Sequence, residues 1–336
     1  MSKYFLAVLT ALALVATPSC ASKAASQEEV PAQSPQVEQV VEDAAKEEAP
    51  QPQEEAAQPQ EAAQAEAEPA DPSKAYEYVD PDGFSVMIPA QFSVSAREGE
   101  QNVSSGLVVI APDGSEYVWV QVTPATLNDD MFASSGFYDE QDEAYQAMIS
   151  SVERYGGFYM GRYEASERAD GTPASVPASA SDIWVHIPPQ DMTTVCSKLY
   201  ADNGSVTAFL PWGFNWDATL TWLVHTGCKT VEEIEDDSSS WGNYANNEFA
   251  DERGYCATGQ WEAARSNNIY DLAGNFWEWT QERTSGDCYA ARAGGYTIMG
   301  GPANGDVYPV VYRSALPGNN HHPNISFRPA LYLTEA

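Results

Sequence analysis

The stretch Asn268–Thr280, reading Asn-Ile-Tyr-Asp-Leu-Ala-Gly-Asn-Phe-Trp-Glu-Trp-Thr, constrains the fold more than any other part of this 336-residue chain. Gly274 permits a backbone turn, and Asn275 can cap that turn by hydrogen bonding. Trp277 and Trp279 each bring a large area to bury, with Glu278 between them. Such a string needs a full core around it. Residues 76–336, with most of the chain's aromatics, are long enough to build one.

The first 75 residues belong to something else. Lys3 precedes an apolar run, Tyr4 to Ala16, that is too short to span a bilayer as a helix, and small residues follow up to Cys20. Residues 1–20 therefore read as an export signal. Cys20, directly after the apolar run, resembles the lipidated cysteine of a bacterial lipobox, which implies an anchored lipoprotein at the cell envelope. Residues 21–75 are dominated by Gln, Glu, Ala and Pro and are too poor in apolar side chains to offset their ordering entropy. They read as a disordered acidic linker with a coil span on the order of 40 Å.

Net charge is −33, with 49 Asp and Glu against 16 Lys and Arg. This excludes nucleic acid as a partner, because phosphate binding needs a basic face. It equally excludes docking on anionic lipid through a polybasic patch. The membrane is expected as a partner only through the N-terminal lipid.

Within 76–336, Leu107–Ile110 and Glu116–Val122 flank Pro112-Asp113-Gly114 and predict a β-hairpin. Helices are expected over 140–154, where Ala144, Met148 and Val152 recur at helical spacing, and over 215–225, with Asn215 as N-cap and Gly227 as terminator. Much of the rest is rich in Gly, Asn, Ser, Asp and Pro with scattered Trp and Tyr, a pattern of irregular loops pinned by aromatic anchors. Cys196, Cys228, Cys256 and Cys288 allow up to two disulfides in an exported domain, in any of three connectivities.

Asn268–Thr280 resembles the hallmark string of the formylglycine-generating-enzyme-like (sulfatase-modifying factor) family. Further matches follow in order: Gly156–Glu164, Trp216-Asp-Ala-Thr-Leu220, Ala293-Gly-Gly-Tyr296 and Ile325–Tyr332. The resemblance spans residues 80–333. It implies an α+β, loop-rich domain with the C-type-lectin-like fold of the formylglycine-generating-enzyme type, over 76–336. It also implies calcium at the Gly274 turn, held by the carbonyls of Ala273, Gly274 and Phe276 and by the Glu278 carboxylate, since hard oxygens suit Ca²⁺. The alternative from the residues alone is that Glu278 only accepts hydrogen bonds from backbone amides.

The family's oxidation chemistry needs two copper-binding cysteines. Here Tyr-Thr-Ile-Met follows Gly294-Gly295, and Tyr-Pro-Val-Val precedes Tyr312-Arg313, so neither cysteine is present. Cu(I) lacks its soft ligands, and no copper is expected. Iron is not expected either, because His321 and His322 are adjacent and would face opposite ways on a strand. The domain is therefore read as non-catalytic.

From Gly300 to Thr334 there is no Lys, Glu, Gln, Met or Trp. Randomising the adenines of Asn codons produces the residue types found and none of those five. This resembles the segment rewritten by diversity-generating retroelements in variable proteins of the same fold. The implied ligand surface comprises Tyr296, Thr297, Ile298, Asn304, Asp306, Tyr308, Ser314, Leu316, Asn319, Asn320, His321, His322 and Asn324. Tyr, Asn and Ser on a rigid scaffold suit an adaptable paratope for a protein or glycan. Two other readings remain open at this point: a metal- or oxygen-dependent modifying enzyme of the same fold, and a structural envelope component.

Overall fold

Both faces of one sheet are buried, and the strand composition explains why. The computed structural model describes residues 71–139, 142–236, 238–244, 249–251, 254–284, 286–295 and 308–334. The signal, Cys20 and nearly all of the linker lie outside them. The described chain runs β1 (Tyr76–Val79), β2 (Ser85–Ile88), β3 (Ser93–Val94), β4 (Val108–Ile110), β5 (Glu116–Gln121), α1 (Pro124–Leu127), β6 (Phe137–Tyr138), α2 (Glu143–Tyr155), β7 (Gly157–Gly161), β8 (Ser166–Glu167) and β9 (Pro173–Ala174). It continues through α3 (Pro189–Cys196), β10 (Val206–Phe209), α4 (Gly213–His225), α5 (Val231–Glu235), a 3₁₀ turn (Glu262–Ala264), β11 (Arg265–Ser266), β12 (Ile269–Tyr270), β13 (Trp277–Thr284), β14 (Cys288–Arg292), β15 (Ser314–Pro317), β16 (Ile325–Ser326) and β17 (Ala330–Leu333). The domain is mixed α and β, rich in sheet, with two 13-residue helices and short ones besides.

The larger sheet has order β10-β17-β7-β5-β4-β3, antiparallel throughout. Successive residues of β5 point to opposite faces. Val118 and Val120 join a core with Phe158, Met160, Met148 and Val152 of α2 and Trp216, Leu220 and Leu223 of α4. Tyr117 and Trp119 join a second core with Val86, Ile88, Phe92 and Leu331. The smaller sheet has order β15-β14-β13-β16, with β6 also paired to β13. Its β13–β16 pair is parallel.

The expected hairpin forms, with Gly114 at φ +83° in its turn. The first expected helix begins at Glu143 rather than 140, because Asp142 caps it by accepting the Tyr145 N–H at 2.8 Å. The second begins at Gly213, so Asn215 is not its N-cap. Asn215 lies in the first turn and reaches back to accept the Trp212 N–H at 3.0 Å. The leading amides of Gly213 and Phe214 are instead taken by Asp139, a carboxylate more than 70 residues away in sequence. Gly227, at φ +72°, ends the helix as expected. The disulfides expected from the cysteine count do not form. Cys196 packs beside Trp279 and Leu210, Cys228 against the α4 core, Cys256 beside Asn275, and Cys288 opens β14 opposite Pro317, and all four are free thiols.

Candidate functional site

The Asn268–Thr280 string is a structural hub. Asn268, Asp271, Gly274 and Asn275 all have positive φ, between +52° and +82°. The side chains of Asn268, Asp271 and Asn275 all bond across this bend. The Asn268 amide donates to the carbonyl of Gly106 at 2.7 Å. Asp271 accepts from Asn243 at 2.9 Å and from Thr258 and Gly259 at 3.0 Å. Asn275 accepts the Cys256 N–H, and its amide donates to Glu164, which also accepts the Phe276 N–H at 3.0 Å. Trp277 and Trp279 enter an apolar cluster with Leu210, Ile325 and Phe327. A Cβ at Gly274 would sit 2.4 Å from the Asn243 carbonyl oxygen, so this turn admits only glycine.

Two of the four oxygens expected to hold calcium, the Glu278 carboxylate and the Ala273 carbonyl, are engaged by protein donors. Glu278 is fully buried, and Arg328 binds both its oxygens, through Nε at 2.7 Å and through Nη2. The Ala273 carbonyl accepts the Asn243 N–H at 2.7 Å. Among the described residues no group of three or more His, Cys, Asp or Glu is placed to hold a metal ion. The other reading of Glu278, as an acceptor of backbone amides, is also corrected: its partner is a guanidinium. Burial pushes the carboxyls of Glu164, Asp271 and Glu278 above their ordinary values, and nearby Arg328 opposes this.

Of the expected ligand residues, Tyr296, Thr297, Ile298, Asn304 and Asp306 lie outside the described residues. Tyr308 is half-buried, its ring 4.2 Å from that of Tyr312 and 5.5 Å from that of Trp277. Ser314 and Leu316 are half-buried on β15, the edge strand, opposite Ala291 and Tyr289. Asn319 and His321 are exposed, with Asn320 and His322 half-buried between and beside them. Asn324 departs from expectation. It is only 5% exposed, because its carbonyl accepts the Trp277 N–H and draws it into the sheet.

His321 and His322 lie in the turn before β16 rather than on a strand. The His321 ring donates from Nδ1 to the His186 carbonyl at 2.9 Å, and the His186 ring donates to the His321 carbonyl at 3.3 Å. His322 Nδ1 instead accepts the Asn324 N–H, and burial together with His186 lowers its basicity. Tyr312, 39% exposed, and His186 are surface members that sequence reasoning missed. Tyr312 had a visible signal in its place beside the expected residues. His186 had none, because only tertiary folding brings it there.

Arg313, just before β15, secures the surface from beneath. It bonds Glu282 at 2.7 Å and also Asp217, and Arg292 bonds the same two acids at 3.2 and 2.9 Å. Beside this network lies a cavity of about 200 Å³ lined by Asp139, Tyr145, Phe214 and Arg313 among others. Burial and the neighbouring Glu282 push the Asp139 carboxyl up to about 7, against the two helix amides that it accepts.

No family model and no curated protein matches the sequence. Among solved structures, the chain is similar to the crystal structure of CarF, with 14% identity and a TM-score of 0.36 over 53% of this chain and 87% of that one. It is similar to PvdO from Pseudomonas aeruginosa, with 13% identity and a TM-score of 0.30 over 67% of this chain and 98% of that one. A third is Treponema denticola variable protein 1, with 14% identity and a TM-score of 0.26 over 76% of this chain and 98% of that one. All three scores fall below 0.5, and no property of those proteins carries over to this chain on that ground.

Proposed function

We propose that the chain is a non-catalytic ligand-binding lipoprotein, exported and anchored through Cys20, that displays a C-type-lectin-like domain of the formylglycine-generating-enzyme type on its linker. The observation that supports this most is the contrast at β15. Half-buried and exposed Tyr, Asn and His side chains at 308–322 flank Arg313, whose buried guanidinium pairs with Glu282 and Asp217. Aromatic and amide groups on a rigid support recognise a protein or glycan surface at low entropic cost. The ligand surface is assigned to residues 296–322, with Tyr312 and His186 added and Asn324 left to the scaffold.

The test is alanine substitution at Tyr308, Tyr312, Asn319 and His321, singly and together, against a partner captured from a glycan array or a surface-protein library. Loss of binding with retained thermal stability supports the reading, and unchanged binding sinks the site. Metal analysis with an oxygen-uptake assay separates this reading from an enzyme of the same fold. The binder predicts neither iron nor copper and no uptake. For diversification of 296–322, a near-copy template differing only at adenines, next to a reverse transcriptase in the genome, is the expected finding.

A further inference from the structure

We infer that Arg328 is a built-in structural cation of this domain and that its fold does not depend on calcium. Arg328 is fully buried in the loop between β16 and β17. Its guanidinium collects oxygens from three separate segments. Nε and Nη2 take the two Glu278 oxygens on β13. Nη1 donates to the Gly161 carbonyl at the end of β7, at 3.0 Å. Nη2 also reaches the carbonyls of Tyr270 at 3.1 Å and Asp271 at 3.4 Å. One side chain thus ties the larger sheet, the smaller sheet and the Asp271 bend together.

Gathering hard oxygens from distant backbone is what a calcium ion does at 6–8 coordination. Here the same kind of oxygens converge on N–H donors, and a planar fork suits a carboxylate held bidentately. A divalent cation bound to Glu278 would lie against a guanidinium in a medium of low dielectric, where like charges repel strongly. Glu164, Asp271 and Glu278 are all fully buried around one guanidinium. Asp271 and Glu164 are already satisfied by amide and hydroxyl donors.

The test uses the whole chain. Melting in EGTA and in millimolar calcium is expected to give the same Tm, and equilibrium dialysis with radiolabelled calcium is expected to show no stoichiometric uptake. A Tm drop in EGTA, or one equivalent of calcium retained, overturns the inference. Arg328→Met should lower Tm by on the order of 10 °C, a loss that added calcium does not restore. The Arg328→Met, Glu278→Met double variant should recover most of that loss, because no buried charge is left alone. A double variant as unstable as the two single losses summed would show that the pair does not act as a unit, and would overturn the assignment. If Arg328→Met does not fold at all, the chelation and dialysis results on the unsubstituted chain still decide.

Discussion

The bend at 268–278 leads into β13 and the surface at 308–322 carries β15, with β14 between them, yet they are built on opposite terms. In the bend, nearly every polar side chain is buried and bonded, several residues take positive φ, and a single added methyl at Gly274 would strike backbone. On the surface, Val310 and Arg313 are buried as its footing, and the other side chains that face outward are half-buried or exposed, held by an aromatic pair, a reciprocal histidine clasp and one short edge strand. The first region is expected to tolerate almost no change, and the outward-facing side chains of the second are expected to change at little cost in stability. That difference is what a variable binding surface requires of its support.

The sharpest way to break this contrast is Arg313→Ala. It leaves Glu282 and Asp217 with Arg292 as their remaining guanidinium in a buried network and is expected to cost about 3 kcal/mol in urea unfolding. A cost below about 1 kcal/mol would mean that the scaffold is not what holds β15. Gly274→Ala comes next, at about 1–3 kcal/mol or more, because a left-handed φ of +82° and a backbone clash act together. An unchanged midpoint would show that the bend is not the rigid element.

A third prediction concerns pH. The Asp139 carboxyl stands at about 7 in the folded chain against an ordinary 3.8, so the fold favours its protonated form. Its stabilising contribution is complete below the ordinary value, declines as pH rises between the two, and is gone above about 7. Tm should therefore carry a downward slope over that window, and Asp139→Asn should remove it. A slope unaltered in the variant would place the titrating group elsewhere. The smallest effects on stability belong to the surface. Tyr312→Ala, Asn319→Ala and His321→Ala should each shift unfolding by no more than about 0.5–1 kcal/mol. The same changes should cost about 1–2 kcal/mol or more of binding if they are central contacts. Large destabilisation from any of them would erase the distinction between the two regions.

Local signals made part of this legible. The Pro112–Gly114 hairpin, the end of α4 at Gly227 and the burial of Trp277 and Trp279 depend on near neighbours and side-chain size, which a sequence displays directly. Helix α3 was hidden because Pro188-Pro189 reads as a breaker, whereas Pro189 occupies the first helical position, where its missing N–H costs nothing. Asn215 looked like a cap, but Asp139 takes that part from afar. The calcium expectation rested on Glu278 within its own string, and its actual partner lies 50 residues on. Asn324 matched its neighbours in composition and was separated from them only by pairing with β13.

Composition and pattern by themselves determined that the chain is strongly acidic, that residues 21–75 are poor in apolar side chains, that no cysteine stands between Gly294-Gly295 and Tyr312-Arg313, and that 300–334 has an unusual residue set. These are properties of which residues are present. Tertiary structure decided which residues meet: Arg328 with Glu278, Arg313 with Asp217 and Glu282, and His186 with His321. Burial makes those meetings matter, because an unpaired charge is costly only where water is excluded, and exclusion is a property of the packed chain.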